Sequence, residues 1–336
     1  MSVQPDRLQK LRDAKLFALV RGYLAAQGRA DAVALTQLHL AGGAALRAAD
    51  ELWVYVAGET ERALGRALLL ATRDAPAALH LVLDSDNGHD ARRAAVFVLP
   101  VHVWCVDGTA LVPAVAVPLA SPADPPAGPA PAALVAMLES AGVEVVVEHG
   151  VIVGEVRGLE VARVRVDPHG EVSLDVGVGR FDQEAGALLH GDQPNAVALG
   201  RAADLIRGHR RAGAAPHAVN RLARERWLRA QLIEDPALVG LDSLAPVSPP
   251  LPRRNVKDPA PAAAVGHEPH GLVLVICTMG VDLEWVPVAA DLIQRERPTR
   301  VVVALPRRDL LPAQGRLAAL LPVPVQFVAV EGGWPV

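Results

Sequence analysis

The sequence predicts an α/β protein in which two parallel βαβαβ units flank a central α-β-β-β-α segment. Three observations carry this reading. Short, almost unbroken apolar runs alternate with stretches of helical spacing at both ends of the chain, two Pro-rich stretches separate those ends from the middle, and the middle holds strands of alternating pattern behind a helix. At 336 residues the chain exceeds one ordinary domain, and 51% hydrophobic residues are enough for more than one buried core. The expected division is 1–112, a linker 113–131, a central part 132–240, a second linker 241–270 and a C-terminal unit 271–336.

An amphipathic helix is expected from Asp6 to Gln27. LWVYVA, LHLVLD and VHVWCV then read as strands buried on both faces, joined by the helical stretches ERALGRALLLATR and HDARRAAVF. After Gly271 the same order returns as LVLVIC, helix, RVVVAL, helix and PVQFVAV. The two segments align without a gap at one constant shift, Gly58 on Gly280, Arg73 on Arg295, Pro76 on Pro298 and Leu83 on Leu305, which suggests duplication. Convergence of two ordinary parallel-sheet units would give the same pattern. Pro113–Pro131 and Pro246–His270 are too rich in proline for regular elements and read as extended connections.

Composition excludes several classes. The formal net charge of -4 gives no global nucleic-acid or membrane signature, so any such signal must be local. Aromatics make up only 3% of the chain, and Ala, Val and Leu dominate as in a high-GC coding bias, so aliphatic cores are expected. Cys105 and Cys277 each lie in an apolar strand, which predicts buried thiols, no disulfide and a reducing compartment. The charged start MSVQPDRLQKLRDAK has no signal-peptide core, and no run is long enough to span a bilayer. Cytoplasmic location without a membrane partner is the expectation.

The middle of the chain carries the chemistry. After a helix (Ala132–Ala141) come VEVVVE, VIVGEV, GLEVARVRV, the turn DPHG and EVSLDVGV. In DPHG, Asp opens the turn, Pro presets φ and Gly closes it. Glu160 and Asp175 therefore fall on neighbouring antiparallel strands. The sequence Gly158, Glu160, the apolar run Val161–Val166, Asp167–Gly170 and Leu174-Asp175-Val176-Gly177 resembles the catalytic hairpin of the PD-(D/E)xK nuclease superfamily. The resemblance is confined to this central part and implies a restriction-endonuclease-like domain. It casts Glu160 and Asp175 as catalytic carboxylates holding Mg²⁺ or Mn²⁺ through oxygen ligands. Gly177 stands where the family has its lysine, and glycine can neither position nor activate water. Arg180 is too basic to replace that lysine as a proton acceptor, leaving His190, Glu155 and Glu148 as weak substitutes.

Arginines crowd the following stretch: Arg201, Arg207, Arg210, Arg211, Arg221, Arg224, Arg226 and Arg229, with Asp204 and Glu225 as the acids among them. Two helices broken at Gly213–Pro216 are expected, the second placing Val219, Leu222, Ala223 and Trp227 on one face and guanidinium groups on the other. With Arg180, such a cluster is what phosphate-backbone binding needs, and Arg253, Arg254 and Lys257 extend it. A solvated helix face would carry the same residues.

Neither flanking unit has a dinucleotide or Walker-type glycine loop, the first turns being AGETERALG and CTMGVDLEW. The C-terminal unit is similar to phosphoribosyltransferases, with Thr278 and Met279 in place of their paired acids. Asp84 and Asp86 end a strand where an acidic ligand could sit, although an exposed turn with helix-capping residues is the better account. His190–Asp192 and His267/His270 lack a metal-ligand complement. The functional expectation is a non-catalytic nuclease-like protein that binds nucleic acid or another partner, with no cofactor. A divergent metal-dependent nuclease and a small phosphate-ligand binder are the alternatives.

Overall fold

Helix α1 (Pro5–Ala26) opens the chain within a residue of its predicted bounds, and Leu16, Leu19, Val20 and Leu24 form its buried stripe. It packs on a six-stranded sheet in sequence order: β1 (Leu35–Leu38), β2 (Gly43–Ala48), β3 (Glu51–Val56), β4 (Ala78–Leu83), β5 (Val101–Asp107) and β6 (Ala110–Pro113). This computed structural model describes residues 5–58, 62–85, 88–178, 195–211, 213–253 and 255–332. Its three sheets make an α/β fold, in two compact units. The first unit comprises Met1–Leu119, Val286–Arg295 and Leu311–Pro324, and the second Ala120–Trp285, Glu296–Leu310 and Val325–Val336. Among the described residues no helix is long and apolar enough to cross a membrane.

In the first unit β3, β4 and β5 pair in parallel through α2 (Ala63–Asp74) and α3 (His89–Ala94), as the apolar runs predict. The hairpin β1–β2 adds two antiparallel strands, and β6 folds back on β5. Strand β2 was not legible, because GAALRA has helix-forming residues. Small side chains are required there: a Cβ on Gly43 would lie 2.6 Å from the Tyr55 carbonyl oxygen.

The face of this sheet under α1 is more aromatic than the composition suggests. Trp53 stacks on His80 at 3.9 Å, and Tyr23 and Trp104 close around them. The Trp104 indole donates to His80 Nδ1 at 3.1 Å. Burial, with help from His102 and Arg29, pushes His80 down to about 3. A histidine depressed in the fold binds its proton more readily once unfolded. Its stabilising effect is therefore complete above the ordinary histidine range and is lost as pH falls from about 6.5 toward 3. In that window each pH unit removes at most about 1.4 kcal/mol. His80→Asn keeps an acceptor for Trp104 without titrating, and is expected to flatten the loss between pH 6.5 and 5 in urea unfolding. An unchanged slope would contradict this.

Cys105 is half-buried rather than enclosed, whereas Cys277 is fully buried and its thiol is pushed up to about 12 by that burial. Arg92 and Arg93 of α3 converge on the fully buried Asp291, each Nε donating at 2.9 and 2.8 Å. Charge in this unit's interior is thus paired.

In the second unit, α4 (Pro129–Ser140) precedes β7 (Glu144–Glu148), β8 (Val151–Val156), β9 (Leu159–Val166) and β10 (Val172–Val176). They form an antiparallel meander of order β10-β9-β8-β7, one strand more than the α-β-β-β-α reading counts. Helix α5 (Asn195–His209) lays Leu199, Ala203 and Ile206 on the same sheet face as Leu138 of α4. The predicted second helix is shorter than its pattern implies. Ala218–Arg221 is a 3-10 turn, Ala223 takes a left-handed conformation, and α6 begins only at Arg224 and runs to Glu234.

The second sheet of this unit is β11-β12-β13-β14-β15. It consists of β11 (Ala245–Val247), β12 (Ala262–Glu268), β13 (Gly271–Cys277), β14 (Arg300–Leu305) and β15 (Val325–Ala329), with β13, β14 and β15 parallel. The stretch read as a linker therefore contributes β11 and β12, whose alanines were hidden among prolines. Helices α7 (Trp285–Glu296) and α8 (Pro312–Ala318) lie between the parallel strands in sequence.

The gapless alignment of the chain ends holds where β3 and β4 correspond to β13 and β14. Glu51 pairs with Ala78, and the aligned Val273 pairs with Arg300. It fails at the third strand. Leu79 pairs with Val101, but the aligned Val301 pairs with Val325, two residues beyond the aligned Val323. An even slip keeps the same side chains on each face.

Candidate functional site

The hairpin β9–β10 is built as the turn chemistry predicts. Asp167 Oδ1 accepts the backbone N–H groups of His169 and Glu171, both at 2.8 Å, and Gly170 sits at φ +84°. What the sequence does not reveal is an irregularity between β8 and β9. Gly154 faces Ala162 while Glu155 faces Glu160, so Val161 is an extra residue in β9. The bulge moves Glu160 onto the face that carries Arg163 and Asp175. It explains how Glu160 and Arg163, three apart in a strand, meet. The Gly177 N–H, at the position of the absent lysine, donates to the Val161 carbonyl at 2.9 Å and ties the bulge to the neighbouring chain.

Glu144, Glu148, Glu155, Glu160 and Asp175 thus share one face, opposite the face covered by α4 and α5. Arginines answer these acids. Arg163 grips Glu160 through two hydrogen bonds of 2.8 Å, which raises the Arg163 pKa. Arg165 donates to Asp175 Oδ2 at 2.7 Å.

Helix α6 supplies the rest. Arg226 binds both Glu148 and Glu155, and Arg229 donates to Glu155 at 2.9 Å. Burial pushes the Glu155 carboxyl up, but Arg229 and Arg226 reverse this and leave it below its ordinary value. Glu144 is raised by burial and by the charges of Glu155 and Glu234.

The other side of α6 is apolar. Trp227, Leu228 and Leu232 join Val273, Val275, Cys277 and Val302 in the core of the second sheet. The expected guanidinium-rich solvent face of this helix does not exist at Arg226 and Arg229, because carboxylates more than seventy residues earlier bury them. Gly158 lets the helix approach: a Cβ there would stand 2.2 Å from the Arg226 carbonyl oxygen.

The donor set does not fit a divalent cation. Glu160 and Asp175 are each held by a guanidinium group, and among the described residues no group of three or more His, Cys, Asp or Glu could hold a metal. His267 and His270 are exposed at a hairpin end. Asp84 bonds Lys15 and Tyr55. Arg180, His190–Asp192, Asp86 and Arg254 lie outside the described residues.

The remaining arginines divide by role. Arg210 is fully buried, and its guanidinium donates to the carbonyls of Arg157, Val219 and Leu222, with burial pushing it down to about 10. It has no free face for a phosphate. Arg207 is half-buried and caps the end of α4 by donating to the Ala141 and Gly142 carbonyls at 2.6 and 2.7 Å.

Arg201, Arg211 and Arg221 are exposed and Arg224 is half-buried. Arg211 follows α5, Arg221 closes the 3-10 turn and Arg224 opens α6, so all three lie in the segment that joins the two helices. Asn220 donates from its side chain to the His209 carbonyl, and Ala223 N–H donates to Val256, bringing the exposed Lys257 alongside.

Compared with known proteins, the chain matches no family model, no curated protein and no solved structure.

Proposed function

We propose that this is a non-catalytic, nuclease-like protein that holds nucleic acid by its phosphates. One observation carries the reading: arginines divide between two tasks. Arg163, Arg165, Arg226 and Arg229 neutralise the hairpin face, while Arg211, Arg221, Arg224 and Lys257 are left around the joint of α5 and α6. With Gly177 in place of a lysine and both carboxylates engaged by guanidinium groups, the hairpin serves as a scaffold.

Cations on one segment suit phosphate recognition, because each neutralised phosphate releases counterions and makes affinity salt-dependent. Four such cations predict a log–log salt slope of roughly -3. A fluorescent oligonucleotide titrated with protein in Mn²⁺ buffer at increasing NaCl tests both halves of the reading. Salt-sensitive binding, weakened at least about 10-fold in Arg211→Glu/Arg221→Glu, with the oligonucleotide recovered intact, is the expected result. Absence of binding at the lowest salt would overturn it.

A further inference from the structure

We infer that the basic patch takes unpaired nucleotides, with the exposed ring of His217 as the surface on which a base stacks. This rests on the phosphate-holding reading above and names its substrate class.

His209 and His217 stack with ring centroids 3.8 Å apart and planes 14° from parallel. His209 is half-buried and His217 exposed. Since one face of the His217 ring lies on His209, its solvent contact falls on the other face and the edge. The pair is fixed rather than loose. His217 Nδ1 accepts the Val219 N–H at 3.3 Å and so caps the 3-10 turn, while the buried Asn220 holds the His209 carbonyl at 3.1 Å. Arg210 adds a bond from inside to Val219 at 3.3 Å.

A preset aromatic face among cations is what single strands need. Bases stack on aromatic rings, histidine included, while the groups around them take the phosphates. Arg211 follows His209 by two residues, Arg221 follows His217 by four, and Lys257 lies beside Ala223. A duplex would use the same cations but offers no base to the ring. Either DNA or RNA supplies this chemistry, since both offer unpaired bases and phosphates.

The test compares wild type, His217→Ala and His217→Phe against four probes: a thymidine homopolymer, a uridine homopolymer, a mixed-sequence duplex of equal length and inorganic polyphosphate. Wild type should hold at least one homopolymer about 10-fold more tightly than the duplex or polyphosphate. His217→Ala should lose that margin while its duplex and polyphosphate affinities stay unchanged, which also reports an intact fold. His217→Phe should restore most of the margin. Equal affinity for single strand and duplex, or a His217→Ala variant that keeps the margin, would overturn this inference and leave phosphate holding in place. Failure to bind any nucleic acid would instead remove the reading beneath it.

Discussion

Arg226→Met should destabilise the second unit by about 3–5 kcal/mol, because it leaves Glu148 and the almost fully buried Glu155 short of a counter-charge. Hydrogen exchange of the β8 amides reads this in the unit itself. The pH dependence gives the sign. In the wild type Glu155 lies below its ordinary value, so its contribution is present above the carboxylate range and is lost as pH falls through the folded value. Removing Arg229 as well leaves burial in control, which raises the carboxyl. The contribution of the double variant should then be present at low pH and lost as pH rises through that raised value. Glu155→Gln in the double variant should recover part of the loss, since the more deeply buried of the two carboxylates is then neutral while Glu148 keeps its charge. Equal stability of Arg226→Met and wild type would show that the ion layer carries nothing.

Gly158→Ala is the second large effect. Its φ of +73° already disfavours a side chain, and the new Cβ would meet the Arg226 carbonyl oxygen at 2.2 Å, its carbon at 2.3 Å and Trp227 N at 2.6 Å. Backbone cannot swing aside as a side chain can, so α6 must shift from the sheet. A loss of roughly 3 kcal/mol or more is expected, about 1 from the left-handed conformation and the rest from overpacking. Gly170→Ala is the control. Its φ is +84°, but nothing lies within 4 Å, so only the conformational cost of about 1 kcal/mol should appear. Urea midpoints of the two variants check this; equal losses would mean that the close approach of α6 is not a constraint.

Much of this architecture is legible because burial writes itself as runs of apolar residues. The strands β3, β4, β13 and β14 show it, and DPHG marks its turn by local chemistry alone. Strands made of small residues are another matter. GAALRA and AAAVGHE look helical or linker-like, since what selects alanine and glycine there is a neighbouring chain. A Cβ on Gly266 would lie 2.7 Å from the Ser243 carbonyl oxygen.

The site is legible in its hairpin and opaque in its partners. Glu160 and Asp175 are readable as a pair on adjacent strands, but the extra residue at Val161 that brings them to one face has no local signature. Arg226 and Arg229 read as solvated charges because arginine carries no mark of the carboxylate it will meet. One clue was present: RERWLRAQL puts Trp227, Leu228 and Leu232 beside its arginines, leaving no wholly polar face. Glycine gave the strongest signal. Gly158, which the hairpin resemblance singles out two residues before the first acid, is where α6 passes against the turn between β8 and β9.

We propose that guanidinium groups occupy the hairpin carboxylates, so that the protein holds nucleic acid without cutting it. Recovery of the oligonucleotide after long incubation with the protein in Mn²⁺ tests this most directly. Intact strand, bound in a salt-sensitive way, is the predicted result. Cleavage that Glu160→Ala and Asp175→Ala abolish together would contradict it.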